Sequence, residues 1–241
     1  MKSDLITVWP KNCDYPMWRL FLEKNRNEFD AVIVAIMEPN HGYDYSEFIK
    51  AQLEKLDVTV VESPKLKAGE DWRDVATKKA LKYSKAKWVW FTEQDFFPKS
   101  GFFDQVRKYQ STGCTVVAVY QQTRMHPCSI FIFREALDSL VVDFGIVPGE
   151  SDHFGLIQKQ INEKKLMTGM IRENLYTHLN GFSHNLRLID NGERANYEED
   201  LFMSHIRSCL NAPVNLHPHF VEIGEKAIKE YFNRKCAEIT P

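Results

Sequence analysis

The first part of the chain repeats one pattern: a short continuous apolar run, then a longer stretch whose apolar residues recur at helical spacing. A run that is apolar at every position needs cover on both faces, and crossover helices supply it, so the alternation predicts a layered α/β domain. Four strands are expected, at Leu5 to Trp9, Ala31 to Met37, Asp57 to Glu62 and Lys87 to Thr92. Pro16 suits a first helical turn, with Met17, Trp18, Phe21 and Leu22 on one face behind it. Asp44 and Glu47 resemble a capping box ahead of the stripe Phe48, Ile49, Leu53 and Leu56. Trp72, Val75, Ala76, Ala80 and Tyr83 form a third stripe. Right-handed crossovers then give a parallel sheet, whose ligands bind at the carboxyl ends of the strands.

After Asp95 the alternation weakens. A short helix is expected from Pro98 and Gly101 through Val106, then strands at Cys114 to Tyr120 and Ser129 to Phe133, joined by a loop from Gln121 to Cys128. Ser151 suits the cap of a helix through Ile157 and Ile161, and two further helices are expected near Tyr197 to Leu210 and Ile223 to Phe232. With 241 residues, no internal repeat and no Gly/Ser-rich linker, a single domain over 1–241 is the simplest organisation. Its expected division is a nucleotide-binding half, 1–98, and an acceptor-binding half, 99–241.

Charge and cysteine content narrow the function. Lys plus Arg is 31 and Asp plus Glu is 33, a net charge of −2, which argues against bulk attraction to nucleic acid or anionic lipid. The five cysteines are scattered, with no C-x-x-C pair, and fit thiols in a reducing compartment. The run Ala31 to Met37 is too short to span a bilayer, and the start shows no long apolar leader, so the expectation is a soluble, unprocessed, cytoplasmic protein.

Neither a G-x-x-x-x-G-K-[ST] loop nor a G-x-G-x-x-G turn follows the first strand, so a bound phosphate needs another means of neutralisation. Glu93-Gln94-Asp95 closes the apolar strand Trp88-Val89-Trp90-Phe91. Carboxylates two apart on an extended chain face the same way and can address one hard divalent ion, Mn2+ or Mg2+. An ion of this kind bridging a diphosphate would act as a Lewis acid toward its departure.

These residues carry a resemblance. Ile6-Thr7-Val8-Trp9-Pro10-Lys11-Asn12, the run Ala31 to Met37 ending at Glu38, and Lys87 through Asp95 resemble the nucleotide-binding half of GT-A fold glycosyltransferases, particularly family 2. The resemblance implies a mostly parallel, Rossmann-like mixed sheet flanked by helices. It also implies sugar transfer from a nucleoside diphosphate sugar, a UDP-sugar being favoured, to an acceptor hydroxyl, with inversion at the anomeric carbon. By the same resemblance Glu93 and Asp95 hold the metal, and Pro10, Lys11, Asn12, Glu38 and Gln94 bind the nucleotide. The sequence departs from the family in carrying Glu93 and Glu38 where Asp is usual, and Thr77 where Asn is frequent.

In the second half, Glu150-Ser151-Asp152-His153 precedes a helix where the resemblance places an acidic base that deprotonates the acceptor. Asp152 is favoured over Glu150. A carboxylate at a helix N-terminus is held ionised by the free amides there, and it also serves simply as part of a cap. His178, in Tyr176-Thr177-His178-Leu179-Asn180-Gly181, is the best match to the histidine that completes many GT-A metal sites, a packed structural histidine being the alternative. Met125-His126-Pro127 is expected on a loop beside the site. Trp9 and Phe97 are candidates for stacking on a base or sugar, whereas Trp72 fits a core stripe.

Two other readings are compatible with the chain. A nucleotidyltransferase of related sheet also needs acidic metal ligands, but usually carries a Gly-rich basic loop that Trp9-Pro10-Lys11-Asn12-Cys13 lacks. A non-catalytic nucleotide- or saccharide-binding protein would keep the fold without turnover. Acceptor choice lives in loops, leaving a saccharide, a lipid-linked sugar, a protein or a modified DNA base open.

Overall fold

The computed structural model describes residues 2–10, 16–37, 46–93, 96–121, 124–146 and 153–178. The expected helices near Tyr197 to Leu210 and Ile223 to Phe232 lie outside them, as does Asp44 of the expected capping box. The first half alternates as its pattern requires: β1 (Ser3–Pro10), α1 (Pro16–Asn25), β2 (Phe29–Met37), α2 (Ser46–Glu54), β3 (Thr59–Glu62), α3 (Trp72–Leu81) and β4 (Trp88–Thr92). Next come β5 (Phe96–Pro98), α4 (Phe102–Ser111), β6 (Val116–Gln121), β7 (Arg124–Phe133), α5 (Arg134–Asp138), α6 (Gly155–Glu163), β8 (Thr168–Ile171) and β9 (Tyr176–His178).

Seven strands form one sheet in the order β3-β2-β1-β4-β7-β6-β8, and β5 pairs with β9 in a separate ribbon. β1 pairs in parallel with both β2 and β4, and β2 in parallel with β3. β7 is antiparallel to β4 and β6, while β8 runs parallel to β6, so only β7 runs against the other strands of this sheet. The sheet is therefore mixed and mostly parallel, flanked by helices.

Two apolar layers cover its faces. One gathers Trp9, Trp18, Phe21, Phe29, Trp90 and Phe131, and the other Ile6, Ile33, Phe91, Phe144, Phe154 and Ile157. Every residue of β4 is buried, as a strand central to a doubly covered sheet must be. Trp90 stacks on its cross-strand partner Phe131 at 4.9 Å with an interplanar angle of 3°. Its indole N–H donates to Ser129 Oγ at 2.8 Å, so the one polar atom of the ring is satisfied inside the core. At the opposite end of the strands, the buried Asp4 carboxylate accepts from Ser84 Oγ, Lys85 N and Ala86 N, fastening β1 to the turn that enters β4.

Three expectations need correction. The connection between β6 and β7 is not a loop from Gln121 to Cys128: the strands form a hairpin in which Tyr120 pairs with Met125 and Gln121 with Arg124. Pro127 is accommodated because the ladder is irregular between Ala118 and Tyr120, where the missing proline N–H is tolerated. Met125, His126 and Pro127 thus belong to β7, with Met125 buried. Trp9 is fully buried, edge-on to Trp18 at 5.6 Å, and Phe97 is buried as well, so both are core residues rather than stacking platforms.

Trp90→Ala should destabilise the protein by about 3–5 kcal/mol and Trp90→Phe by clearly less, because the first empties the aromatic layer and the second keeps the stack. Urea denaturation of the two variants beside the parent measures the difference.

Candidate active site

A shallow cleft opens over β1 and β4, lined by residues 6–8 and 91–93, by Arg73 and Thr77 of α3, and by Phe154. Its polar centre is Glu93, which leaves the end of β4. The chain turns there, with Phe96 N donating to Glu93 O at 3.4 Å, and enters β5. Arg73 Nη1 donates to Glu93 Oε1 at 2.5 Å. Their side chains are only 24% and 19% exposed, so the pair is largely screened from water and its hydrogen bond is charge-assisted.

Arg73 is positioned by the first turn of α3. Asp71 caps that helix, its side chain accepting from Arg73 N at 2.9 Å and Asp74 N at 3.1 Å. The Arg73 guanidinium also lies 4.8 Å from the centre of the Trp72 ring, a cation–π contact that further limits its rotamers. Asp74 Oδ1 accepts from Phe144 N at 2.8 Å, tying the same turn to the segment after α5. Arg73 was missed in the sequence because the stripe around it identifies the core face of the helix, and nothing local indicates that the neighbouring cation meets an acid beyond the next strand. The one available signal was Asp71 as a cap, which fixes where the first turn points.

The sequence candidates distribute unevenly. Pro10 ends β1 opposite Met37 of β2, so the two expected nucleotide-contacting segments leave adjacent strand ends. Lys11, Asn12, Glu38, Gln94, Asp95, Glu150 and Asp152 lie outside the described residues. His178 lies on β9, where its backbone pairs with Phe96, the residue after Asp95. The ribbon thereby brings the His178 position to the chain segment that follows Glu93, although the two are far apart in sequence. Among the described residues, no group of three His, Cys, Asp or Glu side chains is assembled for a metal ion. At the far end of the hairpin, burial pushes the Tyr120 phenol above its ordinary pKa, which keeps it neutral.

No protein-family model matches the chain, and no curated protein matches it in sequence. Solved structures do match. A glucosyl-3-phosphoglycerate synthase from Mycobacterium tuberculosis superposes with a TM-score of 0.52 at 13% identity, covering 87% of this chain and 79% of that one. The same enzyme in complex with Mn2+, uridine diphosphate and glucosyl-3-phosphoglycerate gives 0.50 at 13% identity, over 87% and 78%. Its complex with Mn2+, UDP-glucose and phosphoglyceric acid gives the same values. The fold is that of GT-A-type glycosyltransferases. Among the described residues, no helix is long and apolar enough to cross a membrane.

Removing one member of the Arg73–Glu93 pair strands the other charge in a poorly hydrated cleft. Arg73→Met should therefore cost on the order of 1–3 kcal/mol. The double variant Arg73→Met/Glu93→Gln should recover part of that loss, a non-additivity that a double-mutant cycle of urea melts reads directly.

Proposed function

We propose that this protein is a metal-dependent glycosyltransferase that moves a sugar from a nucleoside diphosphate sugar, a UDP-sugar being favoured, to an acceptor hydroxyl. The observation that carries the reading is the β5–β9 register: it sets His178 opposite Phe96, beside Asp95 in the chain and just beyond Glu93 at the end of β4. Two carboxylates and an imidazole are a donor set suited to Mn2+ or Mg2+. The structural neighbours carry Mn2+ or Mg2+ with UDP, which supports the same class of donor here.

Glu93, Asp95 and His178 would hold the ion, which supplies Lewis-acid stabilisation of the diphosphate charge. Arg73, already beside Glu93, adds a fixed positive charge at the cleft and keeps the Glu93 carboxylate oriented. Pro10, Lys11, Asn12 and Glu38 belong to the segments leaving β1 and β2 and serve the nucleoside end, with Gln94 between the two acids. Asp152, with Glu150 as the second candidate, takes the proton of the acceptor hydroxyl. The acceptor oxygen bonds to the anomeric carbon as the bond from that carbon to phosphate oxygen breaks, and the nucleoside diphosphate leaves. Displacement from the opposite face inverts the anomeric centre.

Calorimetric titration with UDP, GDP, CDP and ADP, each with and without Mn2+, tests the reading. The expected result is UDP binding that requires Mn2+ and weakens by about tenfold or more in Asp95→Asn, as loss of a metal ligand should at least match loss of a supporting residue. Absence of binding to all four nucleotides would overturn the donor class, and binding indifferent to Mn2+ would overturn the metal assignment.

A further inference from the structure

Among the described residues that line the cleft, Arg73 and Glu93 carry the only charges, and they neutralise each other. The acids beside Arg73 on α3 have other partners. Asp71 caps the helix, and Asp74 accepts from Lys78 Nζ at 2.6 Å and from Phe144 N. The guanidinium turns instead to the acid at the end of β4. Arginine stays charged across the whole working pH range, so this neutralisation is not relieved by loss of a proton.

Both partners are supported from behind. The guanidinium lies over the Trp72 ring, and that ring meets the buried His153 imidazole edge-on at 5.9 Å and 64°. Across the cleft, the stack of Trp90 on Phe131 fixes where β4 ends. With so little water around the pair, charges there are weakly screened. A divalent ion approaching Glu93 therefore meets an oxygen that already accepts a hydrogen bond, with a like charge directly beside it. An anion meets the opposite situation, because the other N–H groups of a guanidinium match phosphate oxygens in geometry and charge.

We propose that Arg73 makes metal binding at Glu93 conditional on an anion: without nucleotide its guanidinium competes with a divalent ion for the carboxylate, and a diphosphate that accepts from Arg73 releases Glu93 to the ion. This role rests on the metal site proposed above and concerns the order in which that site fills. It requires only that the guanidinium exchange one oxygen acceptor for another, with the backbone of α3 unchanged. Metal and nucleoside diphosphate then bind with positive coupling, which linkage makes mutual.

Titration of the full chain with Mn2+, followed by the electron paramagnetic resonance of the free ion, tests the competition. It is run with and without UDP, after subtraction of the ion that UDP itself holds. Without UDP, Arg73→Met should bind Mn2+ about tenfold or more tightly than the parent, because one charge-assisted hydrogen bond no longer has to be broken. Arg73→Gln should gain in the same direction and serves if Arg73→Met fails to fold, whereas Arg73→Lys, which keeps the charge, should gain clearly less. The factor by which UDP tightens Mn2+ binding should shrink in Arg73→Met as the affinity for the ion alone rises. Adding Glu93→Gln to Arg73→Met should abolish the gain, which places the ion on this carboxylate. Mn2+ binding in folded Arg73→Met or Arg73→Gln no tighter than in the parent, or a gain that survives Glu93→Gln, would overturn the competition; UDP binding with Mn2+ in the parent would then leave the nucleotide site standing. Parent protein that fails to bind UDP with Mn2+, together with variants that gain no Mn2+ affinity, would remove the nucleotide reading and the competition together.

Discussion

Trp90 between β4 and β7 is the contact on which the other placements depend. Its ring lies flat against Phe131 across the only antiparallel neighbour that β4 has, and it also meets Phe21, Phe29, Phe96, Phe102 and Phe103. One side chain thereby joins the helical cover of the first half, the start of the β5 ribbon and the hairpin of the second half. Close-packed aromatic layers have little room for adjustment, so the end of β4 is a fixed point in the molecule. Glu93 emerges from that point, and its position follows from the packing behind it.

Around this acid the charges are arranged by the helix facing it. Asp71 caps α3, the cap fixes the first turn, and the turn delivers Arg73 to Glu93 and Trp72 to His153. A charge-assisted pair so far removed from solvent is held by geometry more than by net attraction, since each partner has lost hydration to be there. The same turn bonds to Phe144 through Asp74. A few consecutive residues of α3 therefore touch both the cleft and the chain leading to α6.

The four parallel strands and three crossover helices of the first half were legible because each strand centres on a short apolar run and each helix carries its own stripe. The acidic end of β4 was legible for the same reason: polarity changes abruptly where a buried strand leaves the sheet. The hairpin was misread because Gln121 to Arg124 and Pro127 have loop chemistry, and only the broken ladder explains how β7 accommodates a proline. Trp9 was misread because an aromatic residue at a strand end is open or closed according to how the next helix docks, and Trp18 of α1 closes it. The β5–β9 ribbon was invisible in sequence: each strand is three residues long, too short for any periodicity.

Local hydrophobic pattern thus determined the strands and crossover helices of the first half, the class of the sheet, and the acid that ends β4, since burial of each of those elements is encoded in its own residues. Tertiary structure alone decided that Arg73 meets Glu93, that His153 meets Trp72, and that His178 comes to lie beside the segment following Glu93. Those partners are separated by strands, turns and whole helices, and no local periodicity records a meeting that depends on how the sheet orders its strands.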